Sequence, residues 1–171
     1  MKYLLKKISI NLGMLEYEMY QDIPKEEIGS SNPICGVTFE EFKEYLKKWV
    51  EDETKIDEKL ATTTNRYIFY VDDFPVGEIG IRTTINDFWK TKGSQVFYKI
   101  RLSERNKGYG TRMLNLALKE CKKMGMKEVG INCNDKNIAS QHIIKNNNGE
   151  FLFNYGASSR YSIDLINNDK I

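Results

Sequence analysis

Apolar residues fall at every second position from 96 to 102 (Val96, Tyr98, Ile100, Leu102), the pattern of a half-buried strand. Over residues 111–124 the period changes to that of a helix, with Met113, Leu114, Ala117, Leu118 and Cys121 on one side. Between the two stands Arg105-Asn106-Lys107-Gly108-Tyr109-Gly110. A strand, a glycine-bearing turn and a helix are therefore predicted in succession. Upstream, residues 3–10 read as a strand. Residues 11–20 read as a helix, with Leu12, Leu15 and Met19 at helical spacing and Pro24 after it. Residues 25–36 are rich in turn formers and read as a loop. Thr38, with Glu41 three residues on, forms a capping box for a second helix striped by Phe39, Phe42, Leu46, Trp49 and Val50. The charged stretch 51–59 is expected to be exposed.

A β-meander is predicted next: strand 66–71, a turn at Asp72-Asp73-Phe74-Pro75, and strand 76–82. The polar loop before residue 96 carries Phe88 and Trp89, which fit either a flap packed against the domain or surface aromatics covering the core edge. After the long helix, Gly125 gives a stop and residues 128–133 a strand, so strand, helix and strand read as a βαβ unit with parallel strands. A short helix over 137–146 and a hairpin of 151–155 with 160–166 follow, and the tail 167–171 is expected to fray. No internal repeat or low-complexity segment interrupts this order.

With 171 residues, one domain spanning 1–171 is expected, large enough to fold without a disulfide or metal. The hydrophobic fraction is 40% and the net charge +2, with acids and bases interleaved, which argues against nucleic acid as a partner. Cys35, Cys121 and Cys133 lie far apart and His142 is the sole histidine, so no metal-ligand spacing is present. Reduced, mostly buried thiols suit a cytoplasmic protein. No apolar run is long enough for a membrane span, and Lys6 and Lys7 break the apolar start of the chain.

The central stretch carries the chemistry. Two glycines allow a tight turn and a close approach to a ligand, and a helix start presents unpaired N–H groups at a positive dipole end. That is an anion site, to which Arg105 and Lys107 add charge. A P-loop would need Gly-Lys-Ser/Thr, but Thr111 follows Gly110 directly. The dinucleotide fingerprint would need a third glycine where Met113 stands. Arg-x-x-Gly-x-Gly after a strand and opening a helix instead resembles the pyrophosphate loop of the GNAT family of acyl-CoA N-acyltransferases. The order of elements agrees over nearly the whole chain, and Asn137-Ile138-Ala139-Ser140 is similar to the family's Asn-x-x-Ala/Ser signature. Residues 18–46, with Asp22-Ile23-Pro24 and Glu41-Phe42, look like a bacterial subgroup of predicted acetyltransferases.

The resemblance implies an α/β GNAT fold: a mixed sheet of about six to seven strands, about four helices, and a splayed strand pair at the acyl-CoA site, with the acyl-CoA-binding part over about 95–150. It implies acetyl-CoA as cosubstrate and an amine of a small molecule or protein as acceptor, in a monomer or homodimer. The pyrophosphate would sit on the loop of Asn106, Lys107, Gly108, Tyr109, Gly110 and Thr111, beside Arg105. Ile100 and Leu102 would offer main-chain groups to pantetheine, an N–H near Ile100 serving as oxyanion donor. Asn137, Ser140 and, more weakly, Asn132 would complete that side.

For the chemistry, the family's tyrosine acid, seven residues after the signature Asn, corresponds to Ile144, and the glutamate base of its histone-modifying members to Ser94. Both roles are therefore moved or vacant. Glu78, mid-strand on the face opposite Ile79 and Ile81, is the candidate base. Tyr155 and Tyr161 are candidate proton donors or acceptor-site walls; Glu16 and Tyr17 are further candidates from the first helix, and His142 reads as surface. The alternative is a CoA-binding sensor or interaction domain with little catalysis.

Overall fold

The structure is a computed structural model that describes residues 1–84 and 86–171. Four antiparallel strands form the first sheet in the order β1 (Tyr3–Lys7), β4 (Thr64–Val71), β5 (Phe74–Arg82), β6 (Val96–Ile100). Strand β4 is buried on both faces, which explains its nearly unbroken apolar run. Tyr67, Phe69 and Val71 enter one core; Ile68 and Tyr70 enter the other. The second core is closed by α1 (Met14–Gln21) and α2 (Phe39–Glu51), through Met19, Tyr20, Phe42, Leu46 and Trp49. The first is closed by α4 (Tyr109–Lys123), whose Met113, Leu114, Ala117 and Leu118 are all buried, and by Ile144 of α5 (Ile138–Asn146).

A second antiparallel sheet has the order β7 (Glu128–Asn134), β9 (Ser158–Asp164), β8 (Glu150–Tyr155). The two sheets meet where β6 begins. There the Gln95 N–H donates to Gly130 O (2.9 Å) and the Gly130 N–H to Gln95 Oε1 (2.5 Å). The parallel pairing expected of β6 and β7 does not form a ladder, and every ladder among the described residues is antiparallel. Beyond Gln95 the strands part, and the Tyr98 side chain bridges from β6 to Ser140 on α5. The strand–helix–strand order was legible; the splay between its two strands is the structural result.

Other departures have local causes. The turn after β4 is Asp72-Asp73 alone, both residues at positive φ (48° and 66°), as a two-residue hairpin turn requires. Pro75 lies within β5 opposite Tyr70, at a register shift where a missing N–H is tolerated. The strand expected to reach residue 102 ends at Ile100, because the Leu102 N–H donates to Asp22 O (2.8 Å) and residues 102–104 turn into a 3-10 helix. The loop expected over 25–36 contains a small hairpin, β2 (Glu26–Glu27) with β3 (Ser30–Ser31). Part of the loop before β6 is the short helix α3 (Asp87–Thr91), with Trp89 buried and Phe88 exposed; residue 85 of that loop lies outside the described residues. The tail is not frayed: Asn168 is buried and donates to Asn147 O (3.0 Å), and Ile171 packs against the core.

The capping box of α2 is present as read. Thr38 Oγ1 accepts from the Glu41 N–H (3.2 Å), and Glu41 Oε2 accepts from the Thr38 N–H (2.7 Å). Thr38→Ala is expected to destabilise the fold by about 1 kcal/mol in urea titration. An unchanged midpoint would show that packing of Phe42, Leu46 and Trp49 alone holds the helix.

Candidate active site

The splay opens into a groove of about 920 Å³. One wall is β6 through Tyr98, Lys99 and Ile100; another is the turn into α4; the third is the start of α5; the β2–β3 hairpin closes over it with Glu27, Ile28 and Ser30.

The turn is built to leave N–H groups free. Asn106 (φ 62°) and Gly108 (φ 76°) both take the left-handed conformation, and Gly108 is the N-cap of α4 without a side-chain cap. Among the described residues, no acceptor meets the N–H groups of residues 106–111. Consecutive unpaired N–H groups at a helix N-terminus form an anion-binding concavity. A Cβ added at Gly108 would meet nothing within 4 Å, so the space above the turn is open. One at Gly110 would come within 2.5 Å of Ile143 Cδ1, so that glycine is needed for the close approach of α4 and α5.

Arg105 and Lys107, the two charges of the turn, are already paired. Arg105 makes a bidentate contact with Glu27 (2.6 and 2.8 Å), and its Nε donates to Ile100 O (3.0 Å). Lys107 Nζ pairs with Glu104 (2.9 Å) and does not line the groove. Arg101 Nε donates to Asp22 (2.9 Å), which also accepts from the Ser103 hydroxyl (2.6 Å). The Ser103 and Arg101 hydrogen bonds together lower the Asp22 pKa, although burial opposes them as the largest single influence.

On the opposite wall, Asn137 Oδ1 caps α5 by accepting from the Ser140 N–H (3.0 Å), while Nδ2 donates to Ile28 O (3.3 Å). Tyr98 Oη lies 2.7 Å from Ser140 Oγ. Burial raises the Tyr98 pKa, so the hydroxyl stays protonated. The sequence reading missed Tyr98 as a site residue, although it alternates with Ile100 along β6 and so shares its face.

The remaining candidates divide by position. Ile100, Arg105, Asn106, Gly108, Tyr109, Gly110, Thr111, Asn137 and Ser140 all border the groove, and exposed His142 joins its rim. Leu102 does not: its N–H is taken by Asp22 in the 3-10 turn. Asn132 also lies outside, its Nδ2 donating to Lys92 O and its Oδ1 accepting from Arg160 (3.1 Å). Tyr155 is half-exposed on β8 beneath Lys92, away from the groove walls. Tyr161 is buried in the core. Glu16 accepts from the Tyr70 hydroxyl (2.7 Å), and Tyr17 donates to Val37 O (2.8 Å). Ser94 Oγ is engaged with the Asn132 main chain, and Ile144 is fully buried.

Glu78 is fully buried and does not touch the groove. Its Oε1 lies 2.5 Å from Arg66 Nη1, and its Oε2 lies 3.7 Å from Lys99 Nζ. Lys99 borders the groove as part of β6, but its ammonium turns to the face opposite Tyr98 and Ile100, where it meets buried Glu78. The Tyr20 hydroxyl also sits beside Glu78; burial first, and the neighbouring carboxylate second, push the Tyr20 pKa well up. Arg66 is held between the rings of Trp49 (4.6 Å) and Phe97 (4.9 Å).

The family model for the acetyltransferase (GNAT) domain matches residues 31–149, and the chain belongs to that family. Solved structures agree in fold. A ribosomal-protein alanine acetyltransferase from Vibrio fischeri superposes with a TM-score of 0.67 at 16% identity, over 98% of this chain and 95% of that one. The Campylobacter jejuni N-acetyltransferase PseH in complex with acetyl coenzyme A gives 0.61 at 13% identity, over 95% and 99%. A chimera of the Vibrio cholerae spermidine N-acetyltransferase SpeG gives 0.62 at 16% identity, over 96% of each. No curated protein matches the sequence.

Glu78→Gln is expected to destabilise the fold by about 3–5 kcal/mol in denaturant titration, since it leaves Arg66 and Lys99 without their shared counter-charge. A loss below about 1 kcal/mol would mean that both cations are solvated rather than dependent on Glu78.

Proposed function

We propose that this protein is an N-acetyltransferase that moves an acetyl group from acetyl-CoA to an amine of a small molecule or a protein. The observation that carries this reading is the row of unpaired N–H groups over residues 106–111, at the mouth of a groove that runs between two parted strands. PseH, which shares the fold, is described in complex with acetyl coenzyme A.

These residues fit the donor. The N–H groups of residues 106–111 meet its diphosphate, and the open space above Gly108 receives it. The edge of β6 that faces away from β5 takes the pantetheine arm, with Ile100 O already held by Arg105 and with Asn137 and Ser140 opposite. When bound, acetyl-CoA supplies a thioester whose carbonyl carbon the amine attacks, forming C–N and breaking C–S. The amine gives up a proton and the departing thiolate takes one. Tyr98, protonated and borne on the groove wall, is placed to supply the thiolate's proton. Glu78, buried on the other face of the sheet with Arg66 and Lys99, is assigned no contact with the acceptor.

A second reading, a CoA-binding domain without efficient turnover, draws on Ile144, an apolar buried residue where the family's acid would stand. Calorimetric titration with acetyl-CoA, CoA and ATP, followed by an amine panel, separates the two. Binding of both thiol cofactors but not ATP, with turnover of an amine, is the expected result. Binding without turnover of any amine supports the second reading, and no binding of either cofactor refutes both.

Gly108→Glu is expected to abolish acetyl-CoA binding in that titration. The carboxylate would stand where the diphosphate lies, while the fold loses only about 1–2 kcal/mol for a side chain in the left-handed conformation. Unchanged affinity in a folded variant would sink the anion-site assignment.

A further inference from the structure

Strand β8 is an edge strand: it pairs with β9, and its other edge meets no strand among the described residues. Four large side chains along it are half-exposed: Phe151 (52%), Leu152 (51%), Phe153 (45%) and Tyr155 (52%). An edge of this length with so much apolar surface and a single charge, Glu150, is a template for pairing with another chain. The register with β9 shifts between Phe151 and Phe153, so Leu152 and Phe153 both turn toward Arg160 and Ser162, where they border a depression of about 190 Å³.

We propose that β8 is the interface of a two-fold symmetric homodimer, in which β8 of one copy pairs antiparallel with β8 of the other, Leu152 opposite Phe153. The register is self-consistent, as a symmetric interface requires. It sets Phe151 opposite Asn154 and Glu150 opposite Tyr155. Within the chain, Glu150 lies across from Ser162 and Tyr155 from Ser158, so both face the side of the sheet that carries Arg160. Phe151 lies across from Tyr161 and Asn154 from Ser159, on the reverse side. Each facing pair thus shares a side, despite the bulge. The shift also gathers Leu152 and Phe153 of both copies into one apolar cluster over the depression.

Charge selects a second copy as the occupant. Lys92 Nζ lies 5.5 Å from the Tyr155 ring centre. In the proposed register, Glu150 of one copy stands opposite Tyr155 of the other, and so next to the other's Lys92. Neither Glu150 nor Lys92 has an ion-pair partner within the chain among the described residues. The two-fold operation makes that pair twice. The groove is not part of this interface, so the proposal is independent of the acetyltransferase reading.

Sedimentation equilibrium of the full chain tests it. The wild type is expected to be dimeric at about 100 µM. Phe153→Asp is expected to raise the dimer dissociation constant at least about tenfold while circular dichroism stays unchanged. Glu150→Lys and Lys92→Glu should each weaken the dimer, and the double variant should restore it, a rescue that loss of apolar contact alone cannot produce. A wild type that is monomeric at that concentration overturns the proposal. So does a dimer indifferent to these substitutions, or one that the double reversal fails to restore. If Phe153→Asp does not fold, the charge-reversal pair decides the matter.

Discussion

Everything around the groove depends on one failure of pairing. Strands β6 and β7 touch at Gln95 and Gly130, and then separate. Main-chain groups taken out of water need partners, and a strand that leaves its neighbour exposes a row of them. The gap is held open from both sides. Tyr98 spans it to Ser140, and Gly110 lets α4 approach α5 closely enough to fix the far wall. The same parting aligns the free edge of β6 with the N-terminus of α4, so one opening offers both an extended edge and an anion-binding end. A full parallel ladder would have closed the groove and left the glycine turn as a mere connection.

The opposite face of the sheet is organised by charge. Glu78 is the carboxylate shared by Arg66 and Lys99, and the guanidinium groups of Arg66 and Arg82 stack on the two sides of Phe97, with Trp49 and Trp89 beyond them. Burial pulls the Arg82 pKa down to about 10, with Arg66 a secondary cause. Arginine can occupy such a site because its flat, weakly hydrated cation packs on aromatic faces. This stack ties α2 and α3 to strands β4, β5 and β6.

What the sequence disclosed, and what it concealed, follows from the range of the interactions. The period of β6 and of α4, the capping box at Thr38 and the glycine turn are local, and each was legible from residues close in sequence. The GNAT architecture followed from their order. The splay was implied only by resemblance, because it results from contacts between residues more than 30 apart, such as Gln95 with Gly130. Glu78 was legible as a polar residue in an apolar strand. Its dependence on Arg66 and Lys99 was not, since both partners come from neighbouring strands whose register depends on the Asp72-Asp73 turn and the bulge after Phe69. The tail was expected to fray because chain ends are commonly mobile, but Asn168 is buried, donating to Asn147 O and accepting from Asn148 Nδ2.

Arg105 shows how a correct motif can carry a different division of labour. Its guanidinium reads as a phosphate ligand in sequence, since arginine beside a glycine turn matches an anion in charge and shape. In the folded chain its Nη1 and Nη2 engage both oxygens of Glu27, and its Nε engages Ile100 O. It thus joins the β2–β3 hairpin to the end of β6, its charge neutralised there. Asn137 is committed in the same way, one end capping α5 and the other holding Ile28 O of the same hairpin. The two residues that flank the groove therefore fasten its cover. The groups of the turn left free to meet an anion are main-chain N–H groups, fixed by backbone conformation at Asn106 and Gly108. Such donors hold their direction without side-chain ordering, and their field survives when neighbouring charges are paired.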